Sequence, residues 1–147
     1  MIQQLIKNNY AEKHNINNEP DEDQRKNLQY LIDMVLAPLF EYYNNKIFIS
    51  LGFIGKQLNE ILGEENNSLH LLGAAVDIDS NVIPLMEIIN HIHSRFPYTE
   101  LVAEYFPKGW IHIGLLKGNI NRELKLTDEK HYNERIHISK LAGLYGR

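Results

Sequence analysis

An acidic residue sits inside an otherwise apolar stretch, Ala74-Ala-Val-Asp-Ile78. Such a run reads as a buried strand, and a buried carboxylate is expensive unless it is paired or bound to a cation. Any fold of this chain has to supply a partner for Asp77. A histidine, His70, lies just upstream in Ser68-Leu-His-Leu-Leu-Gly-Ala-Ala-Val-Asp77, and a second histidine in an apolar setting, His112, lies in Trp110-Ile-His-Ile113. Two imidazoles and one carboxylate leave a fourth tetrahedral position open, the pattern of catalytic rather than structural zinc.

Composition narrows the chemistry further. The 147 residues include no cysteine, which excludes disulfides, thiolate metal sites and a cysteine nucleophile. Any metal must be held by carboxylates and by some of the 7 histidines. With 44% hydrophobic and 23% charged residues the chain is ordinary for one globular domain. A net charge of -4 gives no basic field of the kind that binds nucleic acid. No stretch approaches the roughly 20 apolar residues of a membrane span. The start, Met1 to Tyr10, lacks an apolar core and a small-residue cleavage site, so no signal peptide is expected.

Three parts are expected: a lead-in segment at 1–20 with room for a short helix, a principal domain at 21–126, and a helical C-terminal extension at 127–147. Asp21-Glu-Asp23 places negative charge where a helix N-terminus favours it. Leu28, Leu31, Ile32, Val35, Leu36, Leu39 and Phe40 then recur at helical spacing, predicting a helix from about Asp21 to Tyr43 that Pro38 kinks. Lys46–Leu51 and Ala74–Ile78 read as strands, and Gly52–Leu62 as a turn leading into a short helix. A second helix, capped by Ser80 or Asn81 with Pro84 in its first turn, carries the stripe Leu85, Ile88, Ile89, Ile92.

Glu100–Tyr105 and Trp110–Leu115 flank Phe106-Pro-Lys-Gly109, a hairpin signal. With the turn centred near Lys108, Glu104 would stand opposite His112 and serve as general base, provided the register is right. His91 and His93 are two apart on a helix and cannot share a face. Asp79 lies two residues beyond Asp77, nearer the polar end of its strand, and is the weaker ligand candidate. These elements predict an α+β fold, with a small, mainly antiparallel sheet and helices packed on one side.

The pattern Ser68-x-His70-x-x-Gly73-x-Ala75-x-Asp77, followed by Glu104 and Trp110-x-His112, resembles the zinc peptidases of family M15. These are D-alanyl-D-alanine carboxypeptidases and phage endolysins with the hedgehog/DD-peptidase fold. The resemblance runs from about Asp21 to Leu126 and includes Gly52-Phe53, Leu58-Asn59 and Asn121-Arg122. It implies one zinc ion held by His70, Asp77 and His112, with Glu104 as base and Trp110 and Ser68 at the substrate. The implied reaction is hydrolysis of peptide bonds in bacterial peptidoglycan, by a chain released from the cytoplasm to the wall or carried in a virion.

Two departures stand against a complete active site. Ile54 replaces the family's substrate-binding Arg, and Ala74 replaces an Arg found in many members. An endopeptidase fits these changes better than a strict carboxypeptidase. The competing expectation is a non-catalytic member of the fold, serving as a structural or binding part, for example of a phage particle. Lys108, His91 and His93 are the candidates for the cationic helper that the missing Arg leaves wanting.

Overall fold

In the computed structural model of the chain, residues 1–63 and 68–128 are described. The chain is α+β, a five-stranded, mostly antiparallel sheet with helices, as expected from the sequence. The strands are β1 (Phe48–Leu51), β2 (Ala75–Asp79), β3 (Glu100–Phe106), β4 (Trp110–Gly114) and β5 (Glu123–Asp128), in the order β1-β2-β4-β3-β5. All neighbours run antiparallel except β3 and β5.

The helix predicted from Asp21 is α3 (Glu22–Leu31), continued by a π-turn at Ile32–Leu36 and by α4 (Ala37–Tyr42). Asp21 caps it through a reciprocal pair with Gln24, at 2.8 and 2.7 Å. Pro38 explains the π-turn. A proline donates no N–H, and its ring would strike the carbonyl one turn back. The chain answers with a wider turn, in which the Ala37 N–H bonds to Ile32 five residues behind.

The stripe on α3 to α4 packs with that of α6 (Leu85–Arg95) against Val76, Ile78, Leu101, Ala103, Ile111 and Ile113 of the sheet. Ser80 does not cap α6. Its hydroxyl instead accepts from the N–H groups of Val82 and Ile83, closing a turn before the helix, and Pro84 stands at the N-cap.

Three further features depart from the sequence-based expectation. The segment at 1–20 goes beyond a lead-in with a short helix: that helix, α1 (Ile2–Ile6), buries Leu5 and Ile6 in the main core. The Leu5 carbonyl takes the Phe53 N–H, and the buried Asn18 side chain bonds to Ile6, Phe53 and Gly55. A strand, β5, occupies 123–128 where no strand was predicted. The helix expected over 127–147 therefore cannot include Thr127 and Asp128, and the remainder of that segment lies outside the described residues.

On the opposite face of the sheet a smaller cluster joins Trp110, Leu51, Ile54 and Leu58 with Ala11. It involves α5 (Lys56–Leu62) and α2 (Asn9–Lys13). No helix among the described residues is long and apolar enough to cross a membrane.

Candidate metal centre

Strand alternation sends neighbouring side chains to opposite faces. On β2 and β4, Val76, Ile78, Ile111 and Ile113 enter the helix-packed core, so Asp77 and His112 emerge on the other face. The two strands are adjacent, and Asp77 stands directly opposite His112 in their register. Facing side chains of an antiparallel pair are close neighbours, and His112 Nδ1 lies 2.9 Å from Asp77 Oδ1.

His70 comes from the loop before β2. Asn27 and Gln24 of α3 hold that loop by donating to the Leu72 and Leu71 carbonyls at 2.8 and 3.0 Å. Gly73 then turns the chain into the strand with φ of 73°, where a Cβ would also stand 2.6 Å from the Gln24 carbonyl oxygen. His70 Nε2 lies 3.2 Å from the same Asp77 oxygen that His112 contacts. The ligand atoms of His70, Asp77 and His112 all fall within 4.8 Å of one another, and this group could hold a metal ion. The side chains of His70, Asp77 and His112 are only 9%, 6% and 13% exposed.

The tautomers follow from the neighbours. His70 Nδ1 faces the Gly52 carbonyl at 2.8 Å, and a carbonyl only accepts, so that nitrogen carries the proton. In the neutral ring Nε2 is then a lone pair aimed at a carboxylate oxygen. His112 is held between two carboxylates, with Nδ1 toward Asp77 and Nε2 2.6 Å from Glu100 Oε1. A neutral imidazole has one N–H and cannot satisfy both. The cluster thus has an excess of acceptors converging on one place, and a cation there, proton or metal, resolves it. This donor set of two imidazole nitrogens and one carboxylate oxygen suits zinc.

The electrostatics agree. Burial alone would raise the Asp77 carboxyl, but the His70 charge and hydrogen bonds from both imidazoles hold it well below the usual carboxylate range. Burial opposes charge on His112, yet its hydrogen bonds to Asp77 and Glu100 outweigh that and push it up to about 10. The hydrogen bond from His112 lowers Glu100, against the opposing effect of burial.

The other residues singled out from the sequence fall in varied places. Glu104 is not opposite His112: it pairs with Trp110, while Val102 faces His112. The hairpin turn centres on Pro107 rather than Lys108, and the register shifts by two. A shift of two preserves the face, so Glu104 still projects on the side of the cluster. Its Oε2 accepts from the Thr127 hydroxyl at 3.2 Å.

Ser68 shapes the His70 loop, its hydroxyl accepting the His70 N–H at 3.2 Å. Trp110 is buried in the small cluster with its ring centroid 5.4 Å from that of Tyr105. Asp79 accepts the Ser80 N–H at 2.7 Å.

His91 and His93 belong to α6, which packs on the far face of the sheet, so neither is the cationic helper. His91 stacks on Tyr42 and His93 bonds to the Tyr98 hydroxyl. Sequence reasoning missed Glu100. Its position two residues before Val102 signals the correct face only once the register is known.

Neither protein-family models nor curated proteins give a match to this chain. What stands on its own geometry is a buried His70, Asp77 and His112 group that could hold a metal ion.

Proposed function

We propose that the chain is a zinc-dependent peptidase acting on the peptides of bacterial peptidoglycan, with His70, Asp77 and His112 as metal ligands. The observation that carries this is the buried convergence of His70, Asp77 and His112, whose ligand atoms all lie within 4.8 Å of one another. The substrate class comes from the motif resemblance to family M15. Zinc, when bound, supplies a Lewis acid that acidifies water and polarises a carbonyl.

The chain's own groups do the rest. Glu104, on the same face and oriented by Thr127, takes the proton of the attacking water and delivers it to the leaving amine. Burial of the cluster keeps competing water away from the ligands and strengthens each electrostatic contact.

One observation favours a second reading, a non-catalytic binding or structural component. Ile54 and Ala74, where the family carries arginines, are buried at 2% and 0% exposure. The substrate clamp of the family thus has no counterpart at those positions.

The test is digestion of purified peptidoglycan by the zinc-loaded chain, with mass spectrometry of the released muropeptides. Cleavage by the wild type and not by Glu104→Gln is the expected result, and the products name the bond. No cleavage by either would favour the binding component, and equal cleavage by both would remove Glu104 as the base. Absence of stoichiometric zinc after loading would remove the metal centre altogether.

A further inference from the structure

The contact between Glu100 and His112 has an unusual geometric requirement. Glu100 on β3 pairs with Gly114 on β4, not with His112, so its side chain must cross diagonally over position 114 to reach the imidazole. Diagonal neighbours in a sheet stand about 7–8 Å apart at the backbone, yet Glu100 Oε1 comes within 2.6 Å of His112 Nε2. The crossing uses the space that Gly114 leaves empty. A Cβ there would stand 2.6 Å from Glu100 Cγ, 3.0 Å from Glu100 Oε1 and 2.6 Å from Leu69 Cδ1. Gly114 has no positive φ, so backbone conformation does not demand glycine. What the missing side chain provides is passage.

We infer that Glu100 is the positioning residue of the metal centre, and that Gly114 is the gap through which it reaches His112. The Glu100 carboxylate accepts a hydrogen bond from the Nε2–H of His112. This fixes the ring so that Nδ1, the nitrogen facing Asp77, presents its lone pair to the metal. A carboxylate on the far nitrogen also makes the ligating nitrogen more basic. His70 is fixed in the corresponding way by the Gly52 carbonyl. The backbone therefore orients one histidine and a side chain the other, and only the second can be removed by mutation without cutting the main chain. This inference rests on the metal-centre reading and assigns no proton transfer to Glu100.

The test measures zinc affinity of the full chain by competition with a chromophoric chelator, alongside thermal unfolding of the metal-free protein. Removing such an outer partner typically weakens binding about 10- to 100-fold. That loss is expected for Glu100→Ala. Glu100→Gln keeps an acceptor oxygen and is expected to recover most of it.

Gly114→Ala substitutes none of the site residues themselves. It displaces the flexible Glu100 at little cost in stability, and is expected to weaken zinc binding nearly as much as Glu100→Ala. In the double variant the two effects should not add, because both break one contact.

Wild-type zinc affinity in both alanine variants would overturn the inference while leaving the metal centre intact. Glu100→Gln as weak as Glu100→Ala would also overturn the orienting role. An effect of Gly114→Ala that persists in full on Glu100→Ala would shift the cause to Leu69 and refute the passage. Failure of the wild type to bind zinc would instead remove the metal centre itself.

Discussion

The two faces of the sheet obey different rules. Toward α3, α4 and α6, the strands present Val76, Ile78, Leu101, Ala103, Ile111 and Ile113, all apolar and almost fully buried. Toward the other side, the same three strands present Asp77, His112, Glu100 and Glu104, with Trp110 at the margin. Residues adjacent in sequence thus serve opposite purposes. The apolar face holds the backbone rigid, and that rigidity fixes the spacing of polar groups that would otherwise avoid one another. A polar cluster this crowded persists because the packing behind it leaves the strands no alternative register.

The contrast can be broken most severely from the apolar side. Ile111→Asp would place a carboxylate on the fully buried, apolar face, beside His112 in sequence but on the opposite side of the strand. Uncompensated buried charge costs about 3–5 kcal/mol, a large share of a domain's total stability. Circular dichroism should show loss of the fold. A folded Ile111→Asp protein would mean the two faces are not distinguished as described.

On the polar side, Glu104→Gln should leave fold and zinc content unchanged while slowing hydrolysis about 10²- to 10⁴-fold, the usual contribution of a general base. Peptidoglycan digestion and elemental analysis on the same sample separate the two outcomes.

Protonation sharpens the contrast further, since Asp77, His112 and Glu100 all stand on the polar face of the strands. His112 keeps its proton up to about pH 10 in the metal-free cluster, and zinc must displace it. Affinity should therefore rise with pH by about tenfold per unit from neutrality toward that value, with close to one proton released per ion bound. The sign for stability is opposite. His112 is raised from its ordinary value, so its contribution to metal-free stability is full below about pH 6.5 and is lost as pH rises toward about 10. Titration calorimetry in buffers of different ionisation enthalpy counts the protons, and a pH-independent affinity would contradict a bridging His112.

The smallest effect belongs to Ile78→Val. Deleting one methylene from the apolar face should cost about 0.5–1.5 kcal/mol in denaturant unfolding. Zinc affinity should stay unchanged, because Ile78 projects away from the cluster.

Much of this was legible beforehand for definite reasons. Asp77 in an apolar run needed a cation, and the two apolar-flanked histidines were the available partners in a chain without cysteine. The long helix from Asp21 announced itself by its period and its cap. Glu100 was not legible, because two glutamates four residues apart on one strand share a face, and only the register and the gap at Gly114 decide which reaches His112. Ile2, Leu5 and Ile6 stand at helical spacing, but so short a run among Gln, Lys and Asn does not signal burial in the main core. β5 was hidden likewise: Leu124 and Leu126 alternate with charged residues at an edge, and remain exposed.

Sequence alone determined which atoms could bind a metal and which side chains had to be buried, since both are properties of residue type and spacing. Tertiary structure decided that β2 lies beside β4, that Asp77 faces His112 across them, and that a side chain from β3 crosses an absent one to hold the imidazole. Those choices depend on strand order and register, which arise when distant segments compete to cover the same apolar face, and no local stretch of sequence contains that competition.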